Sequence, residues 1–347
     1  MNMQIQNTQA NETFALKKLK GIKPKGIKIK SLSSIEKIVC LRDNIIELNK
    51  DSPKLITLNC ARLRYQEIYQ FTSKLLNDFL YTAEDINTYV ALASQEFDST
   101  VKSDRIINGL FSGALLQLLT ERNEKEGNRT CVYVNGFDTK FDYLFACAQK
   151  SDVVIIENLE GEGIGFNLGT NGGYFGILVL NNIRGNFLCT SLADNKGQGN
   201  LVIARNTRGN FLGSSLANRA GSIETVIVDN HVGDNPLRYC ADNKGHVTTL
   251  GVKDSDSIYY PGDSDDCDLD YFIGSNVHNG LFQQKVNSRY VINNPLADEK
   301  FELLADQNLF NTFFKSDFDF QDTDNILNLT KSYYIKKEIK NKTKKTK

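Results

Sequence analysis

A chain of 347 residues with 40% hydrophobic content can bury a sizeable core, which excludes a wholly disordered protein. No stretch approaches the roughly 18 uninterrupted apolar residues of a membrane span, and Met1 to Phe14 holds no apolar signal core, so the expectation is a cytoplasmic protein with no membrane span. The net charge of -1 conceals an asymmetry: residues 1–30 hold seven lysines and one glutamate, residues 331–347 hold eight lysines and one glutamate, and residues 31–330 therefore carry -14.

An acidic body repels phosphate, so contact with nucleic acid or another anionic partner is expected only through the lysine-rich tails. Seven cysteines without a Cys-x-x-Cys pair read as free thiols rather than a disulfide framework.

In chain order, Lys17 to Lys30 is too charged and too broken around Pro24 to pack, and residues 1–33 read as a basic disordered tail. Residues 34–128 read as a mainly helical region. Ile35, Ile38, Val39, Ile45 and Ile46 recur at helical spacing, and a short strand is expected at Leu55 to Asn59. Tyr65, Ile68, Tyr69, Thr72, Leu75, Leu76 and Phe79 share one helical face. Thr82 and Asp85 form a capping-box signature for a second helix. Asp104 is expected to cap a third, whose stripe runs from Ile106 and Ile107 through Leu110, Phe111, Ala114 and Leu115 to Leu118 and Leu119.

After Gly127 the pattern changes to short β-branched runs, each followed by an asparagine-containing turn. Arg184, Gly185, Asn186, Phe187 and Leu188 recur 24 residues later as Arg208, Gly209, Asn210, Phe211 and Leu212. The register gives a glycine column (Gly173, Gly197, Gly221, Gly245) and an asparagine column (Asn158, Asn182, Asn206, Asn230, then Asp254). It also gives two aliphatic columns, Val154, Leu178, Val202, Val226, Leu250 and Ile156, Leu180, Ala204, Val228, Val252.

A unit this short cannot bury its apolar face alone, so residues 129–256 are expected to stack as a parallel β-solenoid of 24-residue coils at about 4.8 Å per coil. The glycine column is expected at a corner with positive φ, and the asparagines as a ladder of amide hydrogen bonds. A leucine-rich-repeat horseshoe shares the period but demands a Leu-x-x-Leu-x-Leu strand that is missing. Thr139 to Gln149 reads as a helix covering the open end of the solenoid.

Residues 257–330 read as an acidic loop and a mixed C-terminal cap, with Phe301, Leu303, Leu304, Leu309, Phe310, Phe313 and Phe314 helical and seated on the last coil. Residues 331–347 read as a second basic tail. The fold class is thus α+β, a helical N-terminal region capping a parallel β-solenoid with a mixed C-terminal cap.

The chemical motifs are sparse. Gly161, Gly163 and Gly165 follow a strand, but no helix pattern follows them, which counts against a dinucleotide site. His231, His246 and His278 show no two-ligand spacing, and Asp263, Asp265, Asp266, Asp268 and Asp270 lack the Gly and Glu of an EF-hand loop, so neither metal nor cofactor is expected. Asp194 and Asp242 share a column, about 9 to 10 Å apart at two coil rises, near the separation of inverting glycosidases.

Through repeated glycine and hydrophobic alternation, the repeat region resembles the β-helical glycine-rich domains found in glutamate synthase and formylmethanofuran dehydrogenase; no residue or activity is carried over. The leading expectation is a non-enzymatic scaffold that offers a repetitive solenoid face to a protein partner. The alternatives are a glycan-acting β-helix enzyme or binding module using Asp194 and Asp242, and tethering to an anionic partner through the lysine tails.

Overall fold

Eight strands stack in chain order, every neighbouring pair parallel: β1 (Cys131–Lys140), β2 (Lys150–Glu160), β3 (Tyr174–Arg184), β4 (Gln198–Arg208), β5 (Ser222–Val232), β6 (His246–Ser255), β7 (Asp268–Val277) and β8 (Arg289–Ile292). The structure is a computed structural model that describes residues 33–49, 58–77, 79–96, 101–256, 268–277, 289–292 and 295–334. All of these but Ser33 belong to the unit Ser34–Lys347. The first tail, most of the expected strand at Leu55 to Asn59 and the acidic loop at Asp263 to Asp266 lie outside the described residues. Leu58 and Asn59 open a helix instead.

The expected β-solenoid is present. Partners Tyr174↔Gln198, Gln198↔Ser222 and Ser222↔His246 keep the 24-residue register from β3 to β6, and the coil tightens to 22 residues at Cys131↔Val153 and His246↔Asp268 and to 18 at Tyr271↔Arg289. Val154, Leu178, Val202, Val226 and Leu250 are buried in one continuous interior, as are Ile156, Leu180, Ala204, Val228 and Val252. The alternate residues Val153, Ile155, Ile177, Val179, Leu201, Ile203 and Ile227 face the other side of the sheet and are buried as well. That double burial explains why the strands read as unbroken aliphatic runs rather than alternating ones.

The return limb of each coil is not a second strand. Phe187, Cys189, Ser191, Ala193 and Asn195 all have φ between 50° and 60°. Their N–H groups donate alternately to the next and the preceding coil: Phe187 to the Asn210 carbonyl at 2.9 Å, Cys189 to Ile164 at 2.8 Å, Ser191 to Ser214 at 2.7 Å and Ala193 to Leu168 at 3.0 Å. Every second residue in the left-handed region thus satisfies the backbone between coils. One coil earlier the same positions are Gly163, Gly165, Asn167, Gly169 and Asn171, all at positive φ, and these residues adopt that conformation at least cost. The alternation of Gly and Asn at 163–171 is the sequence trace of this limb. It also corrects the helix expected at Thr139 to Gln149, since Tyr143, Phe145 and Cys147 are left-handed too.

The glycine column needs a further correction. Gly197, Gly221 and Gly245 do not lie at positive φ; they are glycine because the backbone of the preceding coil presses on them. A β-carbon on Gly221 would sit 1.9 Å from the Ala193 carbonyl oxygen, and one on Gly245 1.7 Å from that of Ala217. At this corner the positive φ belongs to the residue before each glycine, Gly172, Lys196, Ala220 and Lys244, between 61° and 75°; the asparagine column has it at the other end of the strands, with Asn158, Asn182, Asn206, Asn230 and Asp254 between 49° and 55°. Their side chains form the expected ladder, Asn182 to Asn158 at 2.7 Å and Asn230 to Asn206 at 2.8 Å, broken where Asn206 turns to Asn181 at 3.4 Å.

Four helices, α1 (Ser34–Asn49), α2 (Leu58–Leu76), α3 (Ala83–Gln95) and α4 (Lys102–Lys125), close the N-terminal end. The capping box at Thr82 and Asp85 starts α3. Asp104 does not cap α4: the cap is Val101, without a side-chain bond, and Asp104 lies in the first turn. Gly113 lets α4 approach the first return limb, where a β-carbon would lie 2.3 Å from the Ala146 carbonyl oxygen. Ser112 Oγ then accepts the Phe145 N–H at 2.9 Å, and Gln117 Oε1 accepts the Gln149 N–H at 2.8 Å.

The C-terminal helices α5 (Pro295–Gln307), α6 (Phe310–Phe313) and α7 (Thr323–Leu329) follow the sheet. They were expected on the last coil alone; instead they cross the outer face of the whole sheet. Phe301, Leu304, Phe310, Phe313 and Ile326 are buried against the outer aliphatic columns. The crossing ends at β1, where Phe320 stacks on Tyr133 at 5.9 Å and Arg129 donates to the Leu327 carbonyl at 2.7 Å. The second tail, expected from residue 331, begins inside this body: Tyr333 is buried, its hydroxyl meets Asn308 Oδ1 at 3.1 Å, and its carbonyl accepts from Asn200 Nδ2 at 2.9 Å.

Candidate functional site

The two aspartates singled out by their column are both buried. Asp194 is 2% exposed and held by Arg219, whose Nε donates to Oδ1 at 2.8 Å and whose Nη2 pairs with Oδ2; Arg62 Nη2 lies 4.0 Å away. Asp242 is 7% exposed, and its Oδ1 accepts the N–H of Asn243 at 2.9 Å. A carboxylate clamped by a guanidinium in the wall of a coil, as Asp194 is, makes a structural pairing. The arginine that holds Asp194 lies 25 positions further on, one coil away. Only the register reveals it.

A cleft lies at the corner where α4 meets the ends of β1, β2 and β3. It encloses about 510 Å³ and is lined by Arg105, Lys140, Asp142, Glu160, Glu162 and Arg184, among others. Arg105 Nη1 pairs with Asp142 Oδ2 at 3.0 Å, and Lys140 with Glu160 at 3.3 Å. Burial pushes the Asp142 carboxyl above its ordinary range, against the N–H of Glu162 at 2.9 Å and the charge of Arg105. Most charges of this cleft are therefore matched from within.

Arg184 stands outside these two pairs, opposite Glu160 on one side in the parallel register, and its neighbour in the next coil is a second arginine. Arg184 and Arg208 are directly opposite in the parallel register, both exposed, and neither has an ion-pair partner among the described residues. Like charges directly opposite on neighbouring strands repel. Other arginines of the solenoid are paired: Arg129 with Asp152 at 2.8 Å and Arg205 with Asp229 at 3.2 Å.

Beside the two arginines, Phe187 and Phe211 stack with ring centroids 5.1 Å apart and planes within 2°. Phe187 is 37% exposed. Asn186 Oδ1 accepts the Asn210 N–H at 2.9 Å and Asn210 Oδ1 accepts that of Asp234 at 2.9 Å, which fixes the turn beneath the rings. The doubled Arg-Gly-Asn-Phe segment was legible as a repeat. That its arginines and Phe187 are exposed, while Phe211 at the same left-handed φ is half-buried, no spacing rule announces.

Among the described residues no helix is long and apolar enough to cross a membrane. Comparison of the chain with family models, with curated proteins and with solved structures finds no match.

Proposed function

We propose that this protein is a non-enzymatic interaction scaffold whose docking surface is the corner formed by Arg184, Arg208, Phe187 and Phe211, and whose partner is a protein segment carrying both carboxylates and apolar side chains. The observation that carries this reading is the pair of adjacent, exposed arginines, neither of them in an ion pair among the described residues, beside a preformed aromatic stack. Arginine and large aromatics dominate binding energy at protein interfaces, and a ladder held by coil-to-coil hydrogen bonds loses little freedom on docking. The outer face of the sheet, the other repetitive surface, is occupied by α5 to α7.

The positions of Asp194, buried and paired with Arg219, and of Asp242, buried with an oxygen on the Asn243 N–H, give the glycan reading no support. Tethering through the lysine tails concerns residues mostly outside those described and is separable by truncation after Tyr334 rather than at residue 331. A pull-down compares the full chain, a chain lacking residues 1–30 and 335–347, and the corner variant Arg184→Glu, Arg208→Glu, Phe187→Ala. Loss of the partner in the corner variant but not in the truncated chain supports the scaffold. The reverse pattern would replace it with tethering.

A further inference from the structure

His246 opens β6 and Asp268 opens β7, and the two are partners in the parallel register. Side chains on a strand alternate, so Asp270, two residues along, returns to the face of Asp268, and Thr248 to that of His246. The four residues form a patch on the solvent side of two adjacent coils. The side chain of His246 is one-third exposed at 33%, and those of Asp268 and Asp270 are more than half exposed at 57% and 56%.

The imidazole stands between the two carboxylates with one at each nitrogen. Nδ1 is 2.9 Å from Asp268 Oδ2, and Nε2 is 3.6 Å from Asp270 Oδ2 and 3.2 Å from Thr248 Oγ1. One donor atom from each of His246, Asp268 and Asp270 lies within 4.8 Å of the other two. A tetrahedral zinc ion with bonds of about 2.0 to 2.2 Å needs donors roughly 3.4 Å from one another. The separation of Nε2 from Asp270 already meets that requirement.

The role of Asp268 follows from the other ring nitrogen. A carboxylate that accepts the Nδ1 proton fixes the tautomer whose lone pair is on Nε2, aims the ring and raises its basicity as a ligand. We infer that His246 Nε2 and Asp270 form a binding site for a divalent transition-metal ion of the zinc class, with Asp268 as the carboxylate that orients the histidine. An imidazole nitrogen selects this class over calcium or magnesium, which prefer oxygen alone. The remaining coordination positions face solvent, where water or a donor from another molecule can fill them. The ion would join β6 to β7, the step at which the coil shortens from 24 to 22 residues.

The test is calorimetric titration of tag-free, chelator-treated full-length protein with Zn²⁺ and, separately, with Ca²⁺. The site requires one Zn²⁺ per chain, bound at least tenfold tighter than Ca²⁺. His246→Gln and Asp270→Asn should each weaken zinc at least tenfold, with circular dichroism unchanged because these side chains are on the surface. Asp268→Asn should also weaken it, within the roughly 10- to 100-fold range of orienting carboxylates. Substitution with Co²⁺ should give no thiolate-to-metal charge-transfer band. The inference is overturned by absence of zinc binding, by zinc binding indifferent to His246 or Asp270, by a thiolate band placing the ion on cysteine, or by calcium binding equally well without the histidine.

Discussion

Gly172 and Gly221 serve the coil for different reasons, and single substitutions separate them. Gly172 has φ +75° with open space where a β-carbon would go, so Gly172→Ala should cost only the left-handed penalty, about 1 kcal/mol. Gly221 carries no such φ, but a β-carbon there meets the Ala193 carbonyl oxygen at 1.9 Å, so Gly221→Ala should cost about 2 to 3 kcal/mol through forced separation of the coils. Chemical denaturation of both variants reads the difference directly; equal losses would mean that the coils yield freely. His231 makes a second prediction. It is fully buried, its Nδ1 faces Thr207 Oγ1 at 3.0 Å, and burial pushes its pKa down from 6.5 to about 4. The unfolded chain therefore takes up the proton first as pH falls. Stability is full above about 6.5 and declines between 6.5 and about 4, by on the order of 3 kcal/mol. His231→Thr, which copies Thr207 in the same column, should flatten that decline in denaturation curves at pH 7 and pH 4.5, and an unchanged acid loss would rule the histidine out as its source.

At the level of elements, the strands were legible because two aliphatic columns at a 24-residue period leave no other way to bury them. The helices α1 to α4 were legible from their stripes. The return limb was not, because sequence-periodicity rules know helices and strands, whereas this limb alternates left-handed residues. Its one trace, Gly or Asn at every second position from Gly163 to Asn171, fades when Phe187, Cys189, Ser191 and Ala193 take over the same conformation. The C-terminal crossing was hidden for another reason: Phe310, Phe313 and Ile326 announce an apolar face but not which surface it covers. The candidate corner was half legible, as a repeated motif without a direction, and the His246 cluster was not legible, since its members are 22 and 24 positions apart and meet only through the register. The crossing yields a prediction. A chain ending before Pro295 should expose Val153, Ile155, Val179, Ile203 and Ile227 together, and a contiguous aliphatic face of that kind drives association. Analytical ultracentrifugation should show the truncated chain self-associating while the full chain does not; a monomeric truncation would show that α5 to α7 are dispensable as a cover.

For the molecule as a whole, the crossing changes what kind of object the solenoid is. In an open repeat array each coil touches only its neighbours, so the ends fray and unfolding spreads inward piece by piece. Here Glu302 of α5 holds Lys253 of β6 at 2.8 Å, while further along the same segment Arg129, just ahead of β1, is bound to Leu327 of α7. The crossing segment fastens the first coil to the sixth. A zipper clasped at both ends has no free tooth from which to start, so loss of any one coil strains the clasp and is resisted by all the others. The chain thereby acquires the all-or-none behaviour of a globular domain from a plan that is linear, and it acquires it only once α5 to α7 are in place.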